Sequence, residues 1–282
     1  MKKLHRFLAG TVLVIIALLV CFPIWFAVTG AFSSGWELKE NLSPVFGDGK
    51  EMAQWSFLPK APTLRSLVEV LLDRPEFYTM FWNSVKVSGS ILLGQLLIEV
   101  PAAWALAKLN IPGRQWFLKI YIVLMLMPFQ VLMFPQYLTL NALHLLDKLW
   151  AVILPGVFSA FPVFLLYRFF RAIPDEILEA ARLDGANEFR IFWQIALPLG
   201  APGVFSVGIL SFLDSWNMIE PPMVYLKTKA LWPLSLFLPD IQINDMGMGF
   251  AAALLMLIPA LLVFIGCKSY LEQGIALSGG KD

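Results

Sequence analysis

FLAGTVLVIIALLVCFPIWFAVTGAFSSGW, residues 7–36, is 30 residues without a single ionisable acid or base other than Cys21. About 20 apolar residues cross a bilayer core as a helix, so this stretch is long enough. It does not stand alone. Uncharged stretches recur at 120–146, 149–167, 191–213 and 246–267, and 87–107 carries Glu99 as its only charge. Together the six occupy half of the 282 residues. With 59% hydrophobic residues, 15% charged and a mean hydropathy of +0.73, the chain has too little charge to cover a water-soluble surface. Membrane β-strands would alternate over about 10 residues, which these runs do not. The fold class expected is all-α: a polytopic membrane protein of six transmembrane helices in one transmembrane domain, residues 1–282. The spans are placed at 7–32, 85–107, 117–139, 149–171, 199–219 and 246–267.

The same arithmetic excludes several functions. A net charge of +1 with no basic stripe gives no case for nucleic acid. Cys21 and Cys267 fall inside spans, where thiols pack as small apolar groups. His5 and His144 belong to no ligand-spacing motif, so no metal site is expected. The apolar run after Lys2, Lys3 and Arg6 is longer than the 7–15 residues of a signal-peptide core, which predicts an uncleaved first span. Placing both termini inside puts 12 Lys and Arg inside and 9 outside. Five of those nine lie in the long 33–80 segment, which reports topology less reliably than short loops. The external segments are then 33–80 and 220–245. Within them, Thr63–Phe81 reads as an amphipathic surface helix, and Pro221, Pro222, Pro233 and Pro239 forbid one continuous helix.

The most charged interior segment is Ile173–Pro198, IPDEILEAARLDGANEFRIFWQIALP. Pro174 suits a helix start, and Asp175 and Glu176 favour the positive end of its dipole. Ile177, Ala180, Ala181 and Asp184 share a helical face whose alanines admit close approach. Gly185 tolerates the positive φ of a helix stop, and Asn187 can cap a second short helix carrying Phe189, Phe192, Trp193 and Ile195. Pro198 is expected to end it before span five. The segment reads as a bent, stiff pair of short helices, or alternatively as an amphipathic interfacial loop.

Glu179-Ala180-Ala181, Asp184-Gly185-Ala186 and the closing Ile195, Leu197 and Pro198 resemble the EAA loop of ABC importer permeases. Asn83-Ser84-Val85, Ala102–Ala107, the Pro112-Gly113-Arg114 turn and Gln273–Ala276 are similar to the maltose-type carbohydrate permeases. The likeness covers nearly the whole chain and fits the smaller six-span partner of that pair; the insert-like Asn41–Trp55 departs from it. The resemblance implies a cytoplasmic EAA coupling-helix loop at 173–198, between helices four and five, that docks on an ATPase. It implies Glu179, Ala180, Ala181, Asp184, Gly185 and Ala186 as the coupling set. It further implies a second, different permease subunit, two ATP-binding-cassette ATPase subunits holding ATP and Mg, and an extracellular solute-binding protein. The setting would be a bacterial or archaeal cytoplasmic membrane, with no cofactor on this chain and no enzyme activity of its own. The external loop after span five would meet the binding protein, with Tyr225, Leu226, Lys227 and Trp232 in the contact tip. The tail Glu272–Gly280 would reach toward the ATPase pair.

Intramembrane polar groups are functional candidates by default. Glu99, Gln130, Asp214 and Asn217 are therefore candidates for the translocation path, with aromatic residues to stack on sugar faces. Against this stand interfacial anchoring of the ten tryptophans, and pairing of Glu99 with a partner subunit or its protonation. Two other classes compete. A membrane enzyme would use Glu99 and Asp214 as acid and base near one centre. A secondary transporter would show inverted repeats, none of which is visible.

Overall fold

The computed structural model describes residues 2–46, 54, 56–237 and 245–278. Among these residues the secondary structure is helical, apart from one isolated bridge between Ser33 and Pro62. Lipid offers the backbone no partner, so every N–H and C=O of a spanning segment must bond within its own helix. Among the described residues five helices are long and apolar enough to cross a membrane: Phe7–Phe32, Pro75–Lys108, Trp150–Arg171, Glu188–Trp216 and Met246–Glu272. Arg114–Leu126 and Phe129–Ala142 reach that length only as a pair, bent by 105° at the break between them, the geometry of a broken span or a re-entrant loop. The chain is an all-α polytopic membrane protein.

Four boundaries differ from the sequence reading, each for a reason of backbone chemistry. The segment 117–139 is not one straight span. Met127 is forced extended (φ −76°, ψ 124°) by the ring of Pro128, and the helix restarts at Phe129. Pro135 lies inside Phe129–Ala142 without breaking it. The expected surface helix Thr63–Phe81 does not form as a unit. It consists of Arg65–Val68 and a π turn at Glu69–Asp73, and it stops at Arg74 (φ −121°, ψ 83°) before Pro75. Pro75 then opens the second span helix ten residues earlier than the expected start at 85. Span four is interrupted at Phe158 and Ser159, where Ser159 turns extended and a new helix runs Ala160–Arg171.

The fourth difference lies at Pro198. It does not end a separate short helix, because Glu188–Trp216 is one helical span. Proline has no N–H for the carbonyl four residues back and its ring crowds that carbonyl. The helix widens to a π turn at Phe192–Ala196, with the Leu197 N–H reaching back to the Phe192 carbonyl, and passes the proline unbroken.

The chain packs as two compact units. One comprises Met1–Tyr78 and Leu236–Pro259. Within it the Gly35–Phe46 helix carries Glu37, which is 1% exposed and accepts hydrogen bonds from the Ser56 hydroxyl and the Lys60 and Ala61 N–H groups. Gly30 lets the ring of Phe250 lie against the first helix, where a Cβ would stand 2.6 Å from it. Most of the insert-like Asn41–Trp55 lies outside the described residues.

The other unit comprises Thr79–Ser235 and Ala260–Asp282. Its largest core joins Val100, Ala103, Trp104 and Ala107 to Val163, Leu166, Phe169 and Phe170, and on to Leu178, Ala181, Ile191 and Phe192. Small residues permit its close crossings, as expected where apolar burial gives no net drive between helices. A Cβ on Gly94 would meet Val157 at 2.5 Å, and one on Gly203 would meet the Phe169 side chain at 2.4 Å. Gly203→Val is accordingly expected to overpack this crossing at a cost of about 1–3 kcal/mol. Gly89→Val, with nothing within 4 Å of a new Cβ, should stay within about 0.5 kcal/mol. Thermal unfolding of the detergent-solubilised chain checks this; equal melting of the two variants would refute the crossing.

Candidate functional site

Two features stand at opposite ends of the 29-residue helix Glu188–Trp216, which at about 1.5 Å per residue places them some 40 Å apart. At its start is the two-helix knob. Its first helix, Asp175–Leu183, buries Leu178 and Ala181 against the core. Of the face whose alanines were expected to admit another protein surface, Ile177, Ala180 and Asp184 point outward with Glu179, and only Ala181 is buried. The helix ends in a Schellman turn. Gly185 sits at φ +82°, its N–H reaches the Arg182 carbonyl, and the Ala186 N–H reaches the Ala181 carbonyl. Asn187 accepts from the Arg190 N–H at 2.8 Å, capping the next helix as anticipated.

Two ionic contacts stiffen this bend. Arg182 spans it in a forked contact to Glu188, with Nε–Oε1 at 2.7 Å, and the Glu188 hydrogen bond holds the guanidinium above its already high ordinary range. Lys108, at the end of the second span, buries its side chain to 2% exposure. Its Nζ donates to the Ile173 carbonyl and to Asp175 Oδ1, each at 2.5 Å. The Lys108 hydrogen bond, aided by its charge, holds the Asp175 carboxyl below the usual range. Sequence reasoning missed this lysine because its partners lie 65 and 67 residues away. The outward surface left over is apolar as well as acidic: Leu183 is 90% exposed, Phe189 73% and Trp193 50%. Glu179 is exposed beside them and takes part in none of the ion pairs among the described residues.

At the far end of the same helix, a cavity of about 1010 Å³ opens among the bent pair, the fourth span and the fifth. Asp214, Asn217, Glu220, Gln136 and Ser159 supply its polar lining, and Phe129, Phe158 and Phe161 its aromatic lining. Gln130 donates to both oxygens of Glu220 at 2.8 and 3.0 Å, so it orients a wall residue. Of the four path candidates, Asp214 and Asn217 line this cavity and Gln130 stands behind it. Glu99 does not join them. It is 2% exposed and faces a separate void of about 10 Å³ with Gln95 and Ser211. Neither carboxylate oxygen has a hydrogen bond of good geometry, and the Ser159 backbone is the polar group acting on it. Burial within its own unit removes Glu99 from the reach of a second subunit. Glu99 and Asp214 thus line different cavities.

The segment after span five is pinned above this cavity. Glu220–Tyr225 is a short helix, followed by 3-10 turns at Lys229–Leu231 and Leu234–Leu236. Asp147, at φ +57°, holds the segment. Its Oδ1 accepts from the Lys227 and Thr228 N–H groups at 2.9 and 2.8 Å, its Oδ2 accepts from the Thr228 hydroxyl at 2.7 Å, and its own N–H donates to the Tyr225 carbonyl. Asn83 donates to the Ala230 and Trp232 carbonyls, and the Ser84 hydroxyl accepts from the Leu234 N–H. Tyr225 and Leu226, expected at a contact tip, are instead buried at 1% and 2%. Tyr225 donates to Gln136 Oε1, and burial pushes its phenol up to about 12. Lys227 and its neighbours to Ala230 are exposed, and Trp232 is half-buried.

The Thr228 N–H and hydroxyl hold the Asp147 carboxyl below its ordinary value of 3.8. A lowered pKa in the folded state contributes stability above the unfolded value, and that contribution is lost as pH falls through the folded one. The clamp is therefore expected to be intact through neutral pH, with a carboxyl titration midpoint below 3.8 by site-resolved NMR. Asp147→Ala should speed trypsin cleavage after Lys227 and Lys229 several-fold at neutral pH. Cleavage at the wild-type rate would deny the clamp.

Comparison with known proteins places this architecture. Residues 99–277 match the family described as binding-protein-dependent transport system inner membrane component. The arabinooligosaccharides transport system permease protein of Halalkalibacterium halodurans is 28% identical, with 94% of this chain and 93% of that protein covered. The sulfoquinovosyl glycerol transport system permease protein of Agrobacterium fabrum is 29% identical over 98% of this chain and 93% of that one. In fold the chain is similar, with a TM-score of 0.80 and 24% identity, to a chain of a bacterial ABC transporter that imports the acidic polysaccharide alginate; 95% and 97% of the two are covered. With more than half of its length matched, the chain belongs to the binding-protein-dependent transport system inner membrane component family.

Proposed function

We propose that the chain is one permease subunit of an ATP-driven ABC importer for a carbohydrate delivered by an extracellular solute-binding protein. The observation that carries this reading is the knob at 173–191. It is braced by Lys108 and by the Arg182–Glu188 pair, yet it presents Leu183, Phe189 and Trp193 to the outside. A part that must transmit force needs internal rigidity and an unsatisfied apolar face, and this one has both. In this reading Glu179, Ala180, Asp184 and Gly185 dock on a partner ATPase. ATP and Mg reside on that partner, and closure of the ATPase pair biases the permease between two conformations. This chain performs no catalysis. The second permease is a different chain of the same family. Both termini and the knob lie on the cytoplasmic side of a bacterial or archaeal membrane, and the segment Lys227–Trp232 faces the binding protein. Relatives named for arabinooligosaccharide and sulfoquinovosyl glycerol transport support a carbohydrate solute.

Affinity purification of the tagged chain in mild detergent, with mass spectrometry of what stays bound, should recover a second multi-span permease and an ATP-binding-cassette ATPase. Recovery of the chain alone, still active in vesicles without ATP, would overturn the reading. Gly185→Val in the intact complex should abolish uptake while ATP hydrolysis persists, since a β-branched residue is strained at φ +82° and distorts the docking bend. Coupled transport at the wild-type rate in that variant would remove Gly185 from the mechanism.

A further inference from the structure

We infer that the cavity at the end of the fifth span selects against anionic solutes and admits uncharged or amino oligosaccharides. This rests on the reading above that the cavity belongs to the path of an imported carbohydrate, and it goes further by naming the solute's charge class. The lining is strongly biased in hydrogen-bonding sense. Asp214 and Glu220 bring two carboxylates, and among the described residues no Lys, Arg or His lines the cavity. Asn217 donates one of its two amide N–H groups to the Leu213 carbonyl at 2.8 Å, which turns its nitrogen toward the helix backbone and leaves its oxygen as an acceptor. Gln130 likewise spends its amide on Glu220, fixing that carboxylate in place. Gln136 is turned the other way, its oxygen accepting from Tyr225 and its amide N–H groups left to donate, and with the Ser159 hydroxyl it supplies neutral donors against the two carboxylates.

Such a wall wants donors. Sugar hydroxyls donate to carboxylates in charge-assisted hydrogen bonds, and an ammonium does so with added Coulomb attraction. A carboxylate, phosphate or sulfonate brings like charge against Asp214 and Glu220 with no cation in the lining to answer it, and between membrane helices that repulsion is weakly screened. Phe129, Phe158 and Phe161 provide rings for the apolar faces of pyranose units. The volume, about 1010 Å³, is at the upper end of ordinary small-molecule sites and suits several sugar rings rather than one. Similarity in fold to an importer of an acidic polysaccharide therefore does not carry over to the solute.

The test uses the complete importer in proteoliposomes and three trisaccharide probes: maltotriose, the free-amine glucosamine trimer and the galacturonate trimer. Each is offered with and without the binding protein, so that selection by the cavity is read apart from selection in delivery. ATP-driven uptake of the neutral or amino probe with exclusion of the galacturonate trimer is expected. The double variant Asp214→Lys with Glu220→Lys should shift the ratio of acidic to amino uptake upward by at least about tenfold. Asp214→Asn with Glu220→Gln, which keeps the shapes, should lower the preference for the amino probe and serves where the reversed charges prevent assembly. Wild-type uptake of the galacturonate trimer at a rate comparable to the others would overturn the inference while leaving the carbohydrate reading intact. Unaltered ratios in both variants would also overturn it. Failure of an ATP-hydrolysing complex to import any of the three would sink the carbohydrate reading, and this inference with it.

Discussion

The contact on which the knob depends is the burial of Lys108 at the foot of the second span. A lysine ammonium in an apolar setting must find oxygens, and this one takes the Ile173 carbonyl and the Asp175 carboxylate. In doing so it satisfies a carbonyl left open where the fourth span ends and fixes the first residue of the knob helix. Trp104, one turn earlier on the same helix, packs edge-on against Phe170 and beside Phe192. The second, fourth and fifth spans therefore meet at one aromatic and ionic joint, and the knob is an extension of it. Movement of the knob is bound to be movement of those helices.

A different solution holds the other end. There the chain leaves the helical regime, since four prolines between Pro221 and Pro239 exclude a long helix. Backbone groups that a helix would have satisfied are taken up by side chains from elsewhere: Asp147 for Lys227 and Thr228, Asn83 for Ala230 and Trp232, Ser84 for Leu234. The resulting segment is irregular but fixed at many points. The acceptor-rich cavity lies close to this segment, with Glu220 and Pro221 belonging to both.

Helix breaks divide the legible from the illegible. Pro128 and Pro75 act where a proline's ring constrains the residue before it, leaving Met127 and Arg74 outside helical geometry. Pro198 and Pro135 do not break their helices, because a π turn at Phe192–Ala196 absorbs the first and the second fits within Phe129–Ala142. On the knob helix, three of the four residues expected to face another protein are exposed, and Ala181 alone is drawn into the core. Spacing alone makes Ile177, Ala180, Ala181 and Asp184 one face, but the core lies toward Leu178 and Ala181. A nine-residue helix with several apolar positions does not reveal which of them its neighbours will cover.

By itself the sequence determined the solvent, the fold class and the local devices. Long uncharged runs specify membrane helices, because no soluble surface can be built from them and no other open structure satisfies its backbone in lipid. Gly185 and Asn187 fixed a helical bend from two residues, since positive φ and N-capping are properties of single side chains acting locally. Tertiary structure alone decided which polar groups share a space. It separated Glu99 from Asp214, joined Gln130 to Glu220 across 90 residues, buried Tyr225 and Leu226, and gave Asp147 and Lys108 their tasks. Those outcomes depend on which helices cross and how closely, and the crossings are set by the fit of Gly94 to Val157 and Gly203 to Phe169, a pairing of distant residues that no local pattern encodes.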